Sequence, residues 1–79
     1  MNKVAQVRIK IDRTYYDVPA TELTGLQLRS IPAIPIPQNH MLWMIEPGHD
    51  DRLVADDDVI KMLDHYRFFS TPSIVNGGA

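Results

Sequence analysis

Residues 4–11, "VAQVRIKI", alternate between two kinds of side chain. Val7, Ile9 and Ile11 fall on one face, and Gln6, Arg8 and Lys10 on the other. A period of two with β-branched residues specifies a strand with one dry face and one wet one. Such a strand is not stable alone, so the rest of the chain must supply partner strands and a covering layer. "DRT" (12–14) has turn character and "YYDV" (15–18) reads as the returning strand, which makes the first 18 residues a β-hairpin. Pro19 closes it, because proline has no N–H to give to a ladder.

The covering layer is expected next. Thr21 or Thr24 can cap a helix running through "GLQLRSI", with Leu23, Leu26 and Ile31 or Leu28 towards the sheet. Pro32 makes continuation unfavourable. "IPAIPIPQN" (31–39), with prolines at 32, 35 and 37, reads as a stiff extended connector whose isoleucines anchor in the core. Pro32 and Pro35 also have PxxP spacing, but the connector reading accounts for the isoleucines.

"HMLWMI" (40–45) is a strongly apolar strand ended by the turn "EPGHDD". "RLV" (52–54) is a brief edge strand. "ADDDVIKML" (55–63) opens with acids suited to capping one helical turn. "DHYRFFST" (64–71) is the last strand, and "PSIVNGGA" follows as a tail. The expected order is β-β-α-β-β-turn-β, an α+β domain in which one helix crosses a mixed sheet. The last strand can then lie parallel to the first, as a β-grasp domain requires.

Length and composition narrow the function. The chain has 79 residues, enough for one compact domain. It has no cysteine, so thiol chemistry, disulfides and cysteine-based zinc sites are out of reach. Its net charge of −2 argues against nucleic acid as the main partner. No stretch approaches the roughly 18 apolar residues that span a bilayer, and charges at Lys3, Arg8 and Lys10 interrupt any secretory core. A cytoplasmic monomer without a membrane anchor is expected. His40, His49 and His65 are scattered, and "HDD" and "ADDD" lack EF-hand spacing, so no metal or cofactor is expected. No nucleophile elbow, P-loop or dinucleotide fingerprint is present, and an enzyme is not expected.

Two aromatics stand apart. If Leu42 and Met44 face the core, alternation sends Trp43 to the opposite side. If Phe68 faces inward, Phe69 faces outward with Arg67. Trp43 and Phe69 then form an apolar partner-binding patch on the open side of the sheet. A register displaced by one residue reverses the assignment and makes both core residues.

"IPAIPIPQNHMLWMI" and "DDRLVADDDVIKMLDHYRFF" resemble successive segments of ubiquitin, and Gly77-Gly78 follows the last strand as a diglycine does there. More closely, "YYDVPATELTG" and "RFFSTP" resemble the bacterial ubiquitin-like domains called multiubiquitin, which accompany E1-like, E2-like and JAB-type peptidase proteins. The resemblance implies a β-grasp domain over 1–71 with a flexible tail over 72–79. It implies a protein modifier whose Gly78 carboxylate is adenylated by the E1-like enzyme, passed to cysteine thiols and joined to a target protein through the E2-like enzyme. Gly77 would let the tail enter a narrow channel, and Ala79 would first be removed by the peptidase. Some related operons suggest antiviral defence. The chain departs from the family in being a single domain and in reading "SIVNGG" where ubiquitin has arginines before the glycines. A noncovalent adaptor binding through its sheet face, and a sulfur carrier, are the competing readings.

Overall fold

A computed structural model of the chain describes residues 5–73. Strand β1 (Gln6–Ile11) turns through Asp12 and Arg13 into β2 (Thr14–Pro19). A short β3 (Glu22–Thr24) leads directly into helix α1 (Gly25–Arg29). After the proline connector come β4 (His40–Ile45), β5 (Arg52–Val54), β6 (Val59–Lys61) and β7 (Arg67–Pro72). Five strands form one mixed sheet in the order β2-β1-β7-β4-β5, and β3 pairs with β6 in a separate two-stranded sheet. The architecture is α+β, with the last strand inserted between the first and the fourth. As expected, β7 runs parallel to β1, with Lys10 opposite Arg67 and Ile11 opposite Phe68.

The alternation read in β1 is the one the fold uses. Ile9 and Ile11 are buried and Val7 is packed against the core's edge. Leu28, Leu42, Met62 and Phe68 complete the group of most deeply buried side chains. Leu42 and Met44 on β4 and Phe68 on β7 all point to this side. Fully burying such a side chain contributes about 1.5–3 kcal/mol, so these positions outweigh any local propensity in deciding the register.

The helix differs from expectation in length and in face. Thr24 is its N-cap: its hydroxyl accepts the Gln27 N–H at 3.1 Å, while the Gln27 side-chain oxygen accepts the Thr24 N–H at 2.8 Å. The helix stops at Arg29, short of the expected run to Ile31, because Ile31 precedes Pro32 and is driven out of helical geometry. With so short a helix only Leu28 reaches the core. Leu26, expected to face the sheet, is 55% exposed.

The segment 55–63 is the larger correction, since it forms no helical turn. Asp58 folds back, its carboxylate accepting the Ala55 N–H at 2.8 Å and its own N–H donating to the Ala55 carbonyl at 3.1 Å. Val59 and Ile60 then enter β6 and pair with Thr24 and Leu23 of β3. β-Branched residues favour that outcome once a partner strand is at hand.

The last strand begins at Arg67, three residues later than expected. Asp64 and His65 instead form a turn in which His65 has φ of 70°. There the Asp64 carboxylate accepts the Arg8 N–H at 2.8 Å, and the His65 N–H donates to the Arg8 carbonyl at 2.8 Å. These contacts extend the β1–β7 pairing with a side chain in place of a strand residue. At its other end β7 continues through Pro72, and the Ser73 N–H donates to the Asn39 carbonyl at 2.7 Å.

The connector is held by Arg29. Its guanidinium is buried, and Nη2 donates to the Pro37 carbonyl at 2.8 Å and to the His40 carbonyl, while Nε lies 3.7 Å from the Asp56 carboxylate. Ile36 is buried and Ile31 packs at the core's margin, as anchors should, but Ile34 is exposed.

Candidate protein-binding face

Because Leu42, Met44 and Phe68 are buried on one side of the sheet, pleating places Met41, Trp43, Ile45, Arg67, Phe69 and Thr71 on the other. Among the described residues no helix or loop supplies a second layer there, since α1 and the connector contribute Leu28 and Ile36 to the core side. Strand pairing sorts this outer face into rows. Phe69 of β7, Trp43 of β4 and Leu53 of β5 stand side by side across three strands. Tyr15, Lys10, Arg67 and Ile45 form a second row across β2, β1, β7 and β4.

The Trp43 and Phe69 rings are stacked, with centroids 6.2 Å apart and planes 12° from parallel. The indole N–H donates to the Thr71 hydroxyl at 3.0 Å. Stacking on one side and a hydrogen bond at the rim leave the indole little rotational freedom. An aromatic pair of this kind contributes about 0.5–1.5 kcal/mol beyond burial. Both rings are half-buried, so they shelter one another rather than standing free in water. The structure thus puts Trp43 and Phe69 together on the outer face, in the register in which both face away from the core. Leu53, 47% exposed, widens the apolar row.

Charge lies to one side of that row. Arg8 and Asp17 face each other across β1 and β2, with Arg8 Nε 3.0 Å from the carboxylate. That hydrogen bond and the guanidinium charge hold the Asp17 carboxyl below the usual carboxylate range and raise Arg8 in turn. The Lys10 ammonium rests 5.4 Å from the centroid of the Tyr15 ring. A depression of about 130 Å³ opens among Lys10, Asp12, Ile45, Arg67, Phe68 and Phe69.

Leu53, Ile45 and the Lys10–Arg67 juxtaposition were not picked out from sequence. Their role depends on which strands are neighbours, a non-local fact that one strand's pattern does not carry. Gly77, Gly78 and Ala79 lie outside the described residues. His40, His49 and His65 stay apart on β4 and in two different turns. Among the described residues no group of three or more His, Asp or Glu side chains is placed to hold a metal ion, and no helix is long and apolar enough to cross a membrane. Comparison with family models, with curated proteins and with solved structures finds no match to the chain.

Proposed function

We propose that this chain is a ubiquitin-like protein modifier of the β-grasp type, cleaved after Gly78 and joined to target proteins through that glycine. The observation that carries the reading is the sheet order β2-β1-β7-β4-β5 with β7 parallel to β1. That order sets the final strand in the middle of the sheet, braced on both sides. Only residues 73–76 separate Pro72, at the end of that braced strand, from Gly77-Gly78 in the sequence. Glycine at 77 and 78 suits a channel too narrow for side chains. An E1-like enzyme would adenylate the Gly78 carboxylate with release of pyrophosphate, and a cysteine thiol would then displace AMP. On this reading the chain supplies the group that reacts and the surface that is recognised.

The test is co-expression with E1-like, E2-like and JAB-type partners, followed by intact-mass measurement. Loss of Ala79 and higher-mass adducts that vanish in Gly78→Ala are expected. An unprocessed chain without Gly78-dependent adducts would refute the proposal.

A second reading, a noncovalent adaptor, is favoured by the stacked Trp43–Phe69 pair on an uncovered sheet face. Removal of residues 74–79 would then leave partner binding intact, while Trp43→Ala would abolish it.

A further inference from the structure

Lys10 and Arg67 are direct neighbours across the parallel β1–β7 pair, and both point to the outer face. Like charges facing one another across a sheet are destabilising. Neither has a carboxylate within ion-pair distance among the described residues. Pairing places only one acid on this face of the five strands, Asp17, and Arg8 already holds it at 3.0 Å. Two further acids lie nearby: Asp64, whose carboxylate accepts the Arg8 N–H at 2.8 Å, and Asp12, which lines the same depression but gives its two carboxylate oxygens to the Ser70 N–H and hydroxyl at 2.8 and 2.9 Å. The face therefore carries two adjacent cations with no ion-pair partner among the described residues, on a chain whose net charge is −2. General basicity does not account for them.

Their surroundings define what would neutralise them. The depression between Lys10 and Arg67 is also lined by Asp12, Ile45, Phe68 and Phe69, with both Asp12 oxygens engaged by Ser70, and Phe69 continues into Trp43 and Leu53. A ligand filling this corner meets two cations and an apolar shelf side by side. We propose that the Lys10–Arg67 corner binds a carboxylate side chain of a partner protein, an Asp or Glu that lies beside an apolar residue seated on the Phe69–Trp43–Leu53 row. This inference rests on the outer face being a docking surface and names the chemistry of the partner. A nucleic acid suits the site less well. β4 ends at Ile45, beside Arg67, and runs into a turn carrying Glu46, Asp50 and Asp51, which repels an extended polyanion more strongly than one localised carboxylate.

The test is selection of a displayed random-peptide library on the full chain, followed by fluorescence anisotropy of labelled selected peptides. Enriched peptides should pair an Asp or Glu with a large apolar residue. The double variant Lys10→Glu/Arg67→Glu should weaken their binding about tenfold or more, since charge pairs at interfaces couple strongly. Replacing the peptide acid by lysine should restore binding to that variant, a rescue that a misfolded variant would not give. Binding should also weaken as salt is raised. Enrichment of peptides without acids, no enrichment at all, or tighter binding of an oligothymidine than of any peptide would each overturn the proposal. If Trp43→Ala abolishes binding while charge reversal leaves it unchanged, the docking face stands and the carboxylate subsite falls. If neither change matters, both fall.

Discussion

Gly25 sits where three elements meet, and its missing side chain is what lets them. Its N–H donates to the Asp58 carbonyl at 2.9 Å. A Cβ at this position would overlap the Ala55 carbonyl oxygen and press on Val54 Cγ1 at 3.0 Å. Helix propensity alone favours alanine over glycine by about 1 kcal/mol. Overpacking against backbone costs about 1–3 kcal/mol and cannot be relieved by a rotamer change. Gly25→Ala is therefore expected to destabilise the protein by up to about 2 kcal/mol in urea denaturation, and a stabilised variant would contradict the packing described. A second residue-scale effect concerns Asp17. Its carboxyl titrates lower in the folded chain than in the unfolded one, because Arg8 donates to it and is charged. The stability this pair contributes is complete above the ordinary carboxylate range and is lost as pH falls through the lowered folded value. Both side chains are more than half exposed, so the effect is small. Asp17→Asn should unfold at lower urea than the native chain at neutral pH, and the two midpoints should converge in strongly acidic buffer.

Among the elements, legibility followed range. β4 and β5 were readable to the residue, because their apolar runs are bounded by their own turn signals. The hairpin was readable for a similar reason, its alternation matching the face that Ile9 and Ile11 bury. β3 and β6 were missed because each is a strand only by virtue of the other. "ELT" and "VIK" carry too little pattern alone, and three aspartates beside Val59 imitate a helix start. The outer face was half legible: alternation placed Trp43 and Phe69, while Leu53, Ile45 and the cation pair needed the strand order. Arg29 had no sequence signal at all, yet it fixes the connector. Its Nη2 group serves carbonyls at both ends of the Pro37–His40 turn. Arg29→Met keeps much of the volume and removes the donors, taking Nη2 from the His40 carbonyl and leaving the Pro37 carbonyl with the His40 N–H alone. The expected cost is about 2–3 kcal/mol, with faster amide exchange at Met41 and Leu42 than in the native chain. Lysine should recover only part of it, because one ammonium cannot both serve the carbonyls, as Nη2 does, and face Asp56, as Nε does.

At the scale of the whole molecule, the two sheets do not form two units. Ile60 lies on β6, the strand of the small sheet, and Met62 directly follows it, yet both are buried in the same core as Ile9, Leu42 and Phe68. Met62 also donates its N–H to the Thr21 carbonyl at 2.9 Å, closing the small sheet beneath the large one. The central strand β7 is the last to emerge in the chain, and β1 cannot pair on that side until it arrives. Local pieces are therefore poor folding units here, and the main sheet, the small sheet and α1 should gain and lose structure together. Trp43 is the single tryptophan and stacks on Phe69, so its fluorescence reports the β4–β7 pairing. Far-ultraviolet circular dichroism reports all elements at once. The two signals should trace one coincident urea transition, and Met62→Ala should shift both midpoints equally at a cost of about 2–5 kcal/mol. If the tryptophan signal kept its original midpoint in Met62→Ala while the dichroism moved, the small sheet would be unfolding on its own and the single core described here would be wrong.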